Sequence, residues 1–218
     1  GLAGLEDFMP KAYEQANDGL GGTTAVKATM AKMASGQGFG YSTTVGGASI
    51  GIGFSDNLGA TADRTDGETA SDANATSSTS FSVSYDVMDS LTVKGGVGSE
   101  GQGDGKELDH TTLGFVYSFG PAQIGYQIND EDDSASGGTD YETEIYAVSF
   151  MINDNLSLSY GEHNTEKSGD PDEQEADSIQ ASYSMGGISI NLKDSEMKNV
   201  GHGVKSQETT EVLVSFAF

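Results

Sequence analysis

Carboxylates are the most abundant residues in this chain that could carry chemistry. The 218 residues include 34 Asp and Glu against 10 Lys and Arg. Two acidic runs, at residues 130–133 and 170–173, offer the hard oxygen ligands that Ca²⁺ prefers. Neither run has the spacing of an EF-hand loop, so simple solvation of an acidic loop stays the alternative to a weak calcium site. The candidate calcium ligands are Asp130, Asp132, Asp133, Asp170 and Asp172.

The other reactive residue types form no catalytic arrangement. His110, His163 and His202 are far apart in sequence and share no ligand spacing. The absence of cysteine excludes disulfide scaffolds and thiolate metal sites. No nucleophile motif, P-loop or Rossmann fingerprint occurs, and the glycines at residues 101–105 lack the strand–helix context of a phosphate loop. The sequence therefore predicts a protein that is not an enzyme and has no cofactor beyond possible Ca²⁺.

Charge and hydropathy restrict the class of protein. A net charge of −24 excludes nucleic acid as a partner, because phosphate binding needs clustered Lys and Arg. Mean hydropathy is −0.39, no apolar run approaches 18 residues, and residues 1–20 lack the pattern of a signal peptide. A soluble domain remains open. So does a transmembrane β-barrel, whose strands alternate apolar and polar residues without a long apolar run.

From residue 37 onward the sequence alternates with a period of two, which is typical of half-buried strands. In the last strand, Val212, Val214 and Phe216 share one face, while Leu213 and Ser215 lie on the other. About eleven such strands follow one another. Short turns are predicted at residues 46–47, 88–90, 120–121, 153–155 and 186–187. They alternate with longer polar connections in which the acidic residues concentrate, including residues 99–109, 130–140, 163–176 and 194–207, so the pattern predicts an up-and-down antiparallel sheet.

The two faces of these strands differ in kind. One face carries aliphatic residues with aromatic residues toward its ends, and these predict a lipid-facing girdle: Phe39, Tyr41, Phe119, Tyr126, Tyr160, Tyr183, Phe216 and Phe218. The other face is small and neutral, apart from a few charges such as Lys94, Lys193 and Glu211. A soluble sheet usually carries many Lys and Glu on its polar face. The pattern therefore favours a sheet closed around water, in which these charges tune selectivity or are simply scattered on a wet wall.

Residues 1–36 have a different character from the rest. Pro10 and Gly19 bracket residues 11–18 in the way that suits a short helix. A frayed amphipathic terminus is the alternative for this region.

Two stretches carry a resemblance to a known family. The ending Val214-Ser-Phe-Ala-Phe218 is similar to the C-terminal Phe signal that Gram-negative general porins, most closely the alphaproteobacterial kind, present to the barrel-assembly machinery. Residues 5–14 look like the third extracellular loop of those porins, which follows the fifth of sixteen strands and narrows the pore. The resemblance implies that residues 1–36 form this inward-folded loop and that residues 37–218 form eleven barrel strands, corresponding to the C-terminal two-thirds of a porin. Further strands are then expected upstream of Gly1.

The same resemblance implies a function. Glu6, Asp7, Lys11, Glu14 and Asp18 would face the pore as its constriction, the alternative being a solvated helix face. The protein would be a homotrimeric channel of the bacterial outer membrane, in contact with lipid and lipopolysaccharide. It would pass small hydrophilic solutes, with cations favoured by the net charge. An acidic surface or secreted β-sandwich, acting in adhesion or Ca²⁺-dependent binding, is the competing hypothesis.

Overall fold

The computed structural model describes residues 5, 8–16, 20, 38–56, 62–63, 69–70, 77–103 and 106–217, and in these ranges it is built from β-strands. The strands are β1 Gly38–Val45, β2 Ala48–Asp56, β3 Ala62–Asp63, β4 Thr69–Ala70, β5 Ser77–Met88, β6 Leu91–Gly103, β7 Lys106–Phe119, β8 Ala122–Asp133, β9 Tyr141–Asn153, β10 Leu156–Lys167, β11 Gln174–Met185, β12 Ile188–Lys198 and β13 Gln207–Phe216. Eleven of them form one sheet in the order β1-β2-β5-β6-β7-β8-β9-β10-β11-β12-β13, and β3 pairs only with β4. Every pairing in this sheet is antiparallel, and each strand pairs with the next strand of the sheet along the chain, so the predicted up-and-down arrangement of eleven strands is confirmed. No helix in the described ranges has the length and apolar character to cross a membrane.

Short turns connect the strands at one end of the sheet, where the sequence predicts them. Gly46 and Gly47 join β1 to β2 with φ values of 59° and 86°, and Gly186 and Gly187 join β11 to β12 with 59° and 82°. A two-residue hairpin of this type needs positive φ at both positions, which glycine adopts without a steric penalty. These turns fix the register of each hairpin, and with it which side chains share a face.

The apolar face of the sheet is exposed, and the polar face is covered. Val214 and Phe150 expose 45% and 46% of their surface, whereas Gln127 and Ser178 expose none. A β-sandwich would bury the former set between two sheets and expose the latter. The described strands form one large sheet with the opposite polarity, so the sandwich alternative finds no support in this architecture.

The long connections are shorter than the sequence suggests, because the strands continue into them. β8 runs to Asp133, β10 to Lys167 and β12 to Lys198, leaving residues 134–140, 168–173 and 199–206 as connections. Likewise β6 and β7 occupy most of residues 99–109. The prediction of acidic loops at 99–109, 130–140, 163–176 and 194–207 is therefore wrong in part. In these extensions the outward positions are no longer apolar, which removes the signal by which the strands were recognised, although the backbone ladder persists.

The polarity of the two faces inverts in part along the extensions. Outward positions become acidic, as at Glu175 and Asp177 of β11 and Glu196 of β12. Some inward positions become apolar: Ala176 and Met197 are 1% and 2% exposed and pack against Leu20. Other inward positions of the extensions are buried polar residues, among them Thr143, Thr165 and Gln174. Many acidic residues thus lie along the strands rather than between them.

Tyrosines mark the height at which the inversion occurs. The Tyr126 and Tyr146 hydroxyls donate to the two carboxylate oxygens of Glu144, at 2.6 Å and 2.7 Å. On β10, the Tyr160 hydroxyl donates to Glu162 at 2.5 Å. Each ring covers the apolar band while its hydroxyl reaches the acidic zone, which is the arrangement that amphipathic aromatic residues adopt at a boundary between apolar and wet surroundings.

Replacing Val148 by Lys tests the orientation of the sheet. Val148 lies on the exposed apolar face of β9 and is 38% exposed. If this face contacts hydrocarbon, the substitution should destabilise the folded protein by about 2–4 kcal/mol in lipid vesicles. Urea titration, read by heat-modifiable gel migration, measures this change. The control is Ser149→Lys on the opposite face, which should have a much smaller effect, and equal effects of the two would contradict the orientation.

Replacing Glu173 by Gln tests the electrostatics of the acidic end. Burial raises the pKa of the Glu173 carboxyl above its ordinary value, and Glu166 and Glu175 raise it further. The folded state therefore holds this proton more tightly than the unfolded state, so its contribution to stability grows as pH falls through the raised pKa. Glu173→Gln should stabilise the fold near neutral pH by at most about 0.5 kcal/mol.

The measurement is a pair of urea-unfolding curves at about pH 7 and about pH 5, the interval in which a raised carboxyl pKa acts. The variant should gain less than the unmodified protein on acidification. Asp154→Asn, in the short turn between β9 and β10 at the other end of the sheet, is the control. A Glu173→Gln variant that is less stable than the unmodified protein at the higher pH would overturn the assignment.

Candidate functional site

Residues 8–16, here named the inward segment, lie across the polar face of the sheet. Seven neighbouring strands, from β6 to β12, supply residues that contact it or line the cavity beside it. Met9 and Ala16 are each only 8% exposed, and Leu5, just before the segment, is 4% exposed. The segment therefore fills part of the space that the polar face encloses.

Two glycines of the wall accept the first residues of the inward segment. A Cβ atom at Gly114 of β7 would lie 2.7 Å from Cζ of Phe8 and 2.6 Å from the Tyr126 carbonyl oxygen. One at Gly125 of β8 would lie 2.6 Å from Cδ of Pro10. Real Cβ atoms do not approach other atoms so closely, so any side chain at either position would displace its neighbours. These glycines make room for Phe8 and Pro10 against the wall.

Side chains of β10 and β11 bind the backbone of the inward segment. The N–H of Ala12 donates to Oγ of Ser159 at 2.8 Å. The N–H groups of Tyr13 and Glu14 both donate to Oε1 of Gln180 at 3.0 Å, and Nε2 of Gln180 donates to the Glu14 carbonyl at 2.6 Å. Ser159 and Gln180 are directly paired in the β10–β11 register. One cross-strand pair thus satisfies three consecutive backbone N–H groups.

A second glutamine bonds to the chain just upstream of the segment. Nε2 of Gln127 on β8 donates to the Leu5 carbonyl at 3.1 Å and to Oδ1 of Asn129 at 2.8 Å. Thr112 of β7 donates to the same Asn129 oxygen at 2.5 Å. Gln127 is fully buried, and Asn129 and Thr112 are 2% and 3% exposed. This group forms a buried polar network, in which each bond fixes the orientation of the next.

Charges on the inward segment meet charges on the wall. Nζ of Lys193 lies 3.4 Å from a carboxylate oxygen of Glu14, and the Lys193 side chain is fully buried. Nζ of Lys94 lies 4.9 Å from the centre of the Phe8 ring, within the range of a cation–π interaction. Glu211 is the direct cross-strand partner of Lys193 in β13. The predicted wall charges Lys94 and Lys193 therefore contact the segment.

The helix predicted at residues 11–18 does not form in the described part of that range. Residues 11–16 consist of bends and a turn. In such a helix the Glu14 carbonyl would accept from the N–H of residue 18, but here it accepts from Nε2 of Gln180. The N–H groups of Ala12, Tyr13 and Glu14 bond to Ser159 and Gln180, so the wall fixes both the donors and this acceptor of the stretch. Tertiary hydrogen bonds thus override a local helix signal, as they commonly do for short segments.

Two cavities border the inward segment. A cavity of about 30 Å³, the size of one water molecule, lies between the segment and the wall beside Ile145, His163 and Gln180. A larger space of about 400 Å³ opens at the short-turn end. Its polar lining includes Lys11, Ser118, Gln123, Ser149, Ser157, Ser182 and Ser184. Lys11, a residue of the segment, lines both cavities.

Several predicted site residues fall outside the described residues or remain untested. Glu6, Asp7, Asp18 and Phe218 lie outside the described residues. The remaining girdle residues lie on the outer face, where Phe39, Tyr41, Phe119, Tyr160 and Phe216 are exposed and Tyr126 and Tyr183 are half-buried. Their contact with lipid stays a prediction.

The candidate calcium ligands and the histidines take part in local contacts. The N–H of Ala135 donates to Asp133, and the N–H of Asp172 donates to Asp170, which also lies 3.6 Å from Nζ of Lys167. His110 is buried with its Nδ1 3.6 Å from a Glu131 oxygen. Within the described ranges no group of three or more His, Asp or Glu is placed to hold a metal ion. The calcium site stays a prediction.

Solved structures of porins share this architecture. The anion-selective porin from Comamonas acidovorans superposes with a TM-score of 0.65 at 15% identity, over 82% of this chain and 58% of that protein. A porin refined at 1.8 Å resolution gives 0.60 at 16% identity, over 83% and 61%. The outer membrane channel DcaP of Acinetobacter baumannii gives 0.64 at 10% identity, over 96% and 67%.

The similarity to these solved structures supports the fold, but not the kind of porin or the part of a porin to which this chain corresponds. At identities of 10–16% they show that the sheet has the porin architecture. The chain spans 58–61% of the length of the first two porins. No protein-family model and no curated protein sequence matches the chain. The alphaproteobacterial kind, the correspondence to the C-terminal two-thirds, and the division at residue 36 stay predictions.

The residues that hold the inward segment were not singled out from the sequence. In the sequence, nothing distinguishes Gln127, Ser159 and Gln180 from the other residues of the small polar face. Likewise, Gly114 and Gly125 resemble any other glycine within a strand. The available signal was size: Gln180 is longer than its inward neighbours Ser178 and Ser182 on β11. A long amide among serines on an inward face indicates a partner inside.

Replacing Gly125 by Ala tests the seating of the inward segment. The new Cβ would lie 2.6 Å from Cδ of Pro10 and 2.7 Å from Sδ of Met9, so the segment must move away from β8. We expect a loss of about 1–3 kcal/mol, typical of overpacking, with the sheet itself intact. Gly40→Ala on β1 is the control, since its nearest atom is 4.0 Å away. Equal urea midpoints for the two variants would contradict the seating.

Proposed function

We propose that this chain forms the wall and the constriction of a water-filled channel in the bacterial outer membrane, through which small hydrophilic solutes diffuse passively. The observation that carries the proposal is the inward segment, bound across the polar face of a sheet whose apolar face is exposed. An exposed apolar band around a covered polar face suits a protein surrounded by lipid. The porin architecture of the solved structures supports the same function.

The remaining parts of the proposal follow from that placement. The apolar band would face membrane lipid, and the acidic extensions would stand at the level of lipopolysaccharide. The barrel would be of the sixteen-stranded type, closing through strands that pair with β1 and β13, and it would assemble as a homotrimer. Phe218 would serve as the terminal signal to the barrel-assembly machinery. Residues 1–36 would form the constriction loop, with Glu6, Asp7, Lys11, Glu14 and Asp18 at the narrowest part.

Selectivity for cations is the finer part of the proposal. The net charge of −24 and the acidic strand extensions would concentrate cations at the channel mouth. A specific observation favours the opposite preference: Lys11, Lys94 and Lys193 lie at the inward segment, although the chain has only 10 basic residues. Anion preference is therefore the second candidate, and the two differ in the sign of a measurable potential.

The reversal potential of the unmodified protein separates these possibilities, and Lys94→Gln measures what one positive charge of the wall contributes. We expect the full-length protein in a planar bilayer to conduct steadily and, across a salt gradient, to give a cation-selective reversal potential that shrinks as salt screens the charges. Lys94→Gln should raise the cation-to-anion permeability ratio by up to about fivefold, since one charge near an ion contributes about 1 kcal/mol in water.

The control is Lys198→Gln, which removes a positive charge from the outer wall. Lys198 is half-exposed and lies 3.9 Å from Glu175. This variant should leave the permeability ratio near that of the unmodified protein. An anion-selective unmodified channel would reject cation preference, and a protein that inserts into the bilayer without conducting would reject the channel itself.

A further inference from the structure

Gln180 occupies a distinctive place among the residues that contact the inward segment. Its single carboxamide forms three hydrogen bonds to the segment's backbone, two as acceptor and one as donor. The other contacts reach a side chain, as Lys193 and Lys94 do, or one N–H, as Ser159 does. The hydrogen bonds of Gln180 thus do not depend on which side chains the segment carries.

The surroundings of Gln180 keep its carboxamide in one orientation. Nε2 also donates to Oγ of Ser178 at 2.9 Å, on the same strand and the same face. Oγ of Ser159, across the β10–β11 pair, lies 3.5 Å from Oε1. Gln180 is 3% exposed and Ser178 is fully buried. A carboxamide with its donor and acceptor sides fixed in this way presents the acceptor to two N–H groups and the donor to one carbonyl.

The bonds to Gln180 reach a stretch of the segment without regular secondary structure. Tyr13 and Glu14 lie in an irregular stretch, and buried N–H groups without partners are costly. Lys193 bonds the Glu14 side chain from the next strand, so the backbone and the side chain of one residue are held from β11 and β12 respectively. Removing the carboxamide would leave three backbone groups to find other partners.

We propose that Gln180 is the positioning residue that fixes the inward segment at its depth across the channel, and thereby sets the size of solute that passes. This inference rests on the proposed function for its consequence, but not for its mechanism. The clamp consists of the Gln180 carboxamide, supported by Ser159 and Ser178. Lys193 adds charge pairing without determining the path of the backbone.

Proteolysis tests the clamp separately from transport. Trypsin cleaves between Lys11 and Ala12. The N–H of Ala12, in that bond, is held by Ser159, and the next two N–H groups are held by Gln180. In the detergent-refolded full-length protein, Gln180→Ala should speed cleavage between Lys11 and Ala12 by about tenfold or more, since three hydrogen bonds are lost. Mass spectrometry of the fragments assigns the site. Gln180→Glu keeps the acceptor and loses the donor, so its cleavage rate should lie between those of the unmodified protein and Gln180→Ala.

The matched control is Gln123→Ala, which removes the same side chain from the polar face of β8. Gln123 bonds to Ser118 within the wall. It should leave cleavage after Lys11 unchanged, and all variants should keep heat-modifiable migration, which reports an intact barrel. Should Gln180→Ala fail to fold, Gln180→Glu carries the comparison alone. Equal cleavage rates for the folded Gln180 variant and Gln123→Ala would overturn the clamp.

Liposome swelling with sugars of increasing size then tests the consequence. Gln180→Ala should admit larger sugars than Gln123→Ala, although both remove equal volume from the wall. If the unmodified protein forms no channel, the proposed function fails while the proteolysis result still decides the clamp. Cleavage could also speed up while Gln180→Ala and Gln123→Ala admit sugars of the same size. The segment would then be released without a change in the size limit, and the claim that Gln180 sets the size of solute that passes would be overturned.

Discussion

Irregular backbone enclosed by a sheet must obtain its hydrogen bonds from the sheet's side chains, and much of the wall follows from this constraint. The ladder of the strands consumes its own N–H and carbonyl groups, so nothing remains on the backbone for residues 8–16. Gln180 and Ser159 supply the missing acceptors, and Gln127 supplies a donor to the Leu5 carbonyl. Where the segment places the large side chains of Phe8 and Pro10 against the wall, the wall residues are Gly114 and Gly125. The polar face is therefore fitted to the segment as well as to water.

The same strands present two different outer surfaces along their length. Near the short turns, apolar residues such as Val148 and Phe150 point outward and serines point inward. Beyond the tyrosines the assignment reverses, with Glu175 outward and Ala176 inward. One continuous strand can carry both arrangements, because successive side chains point to opposite faces whatever their type. Tyr146 and Tyr160 thus lie where the apolar part of the outer surface gives way to the acidic part.

The sequence pattern was sufficient for the fold and insufficient for the site. Alternation and paired glycines located the strands and turns, because each hairpin is a local unit with its own signal, as at Gly186 and Gly187. The extensions were missed because their outward positions are acidic, so the outward apolar residues by which the strands were recognised are lacking there. The helix at residues 11–18 was wrong, and the bond that takes the Glu14 carbonyl away from such a helix comes from Gln180, more than a hundred residues away. Contacts at such separation leave no periodic trace in the chain.

The placement of charge shows why net charge alone is a poor guide to the interior. Carboxylates of the strand extensions such as Glu175, Asp177 and Glu196 point outward, with a sheet between them and the enclosed space, and at physiological salt their field decays over about 8 Å. Glu100 and Glu131 lie on the inward face instead. Inside, Lys193 is paired with Glu14 and Lys94 is stacked on Phe8. A solute near the inward segment therefore meets local pairs rather than the total of −24. Any selectivity of the interior must come from how Lys11, Glu14 and their neighbours balance one another, while the outward carboxylates act on what surrounds the protein.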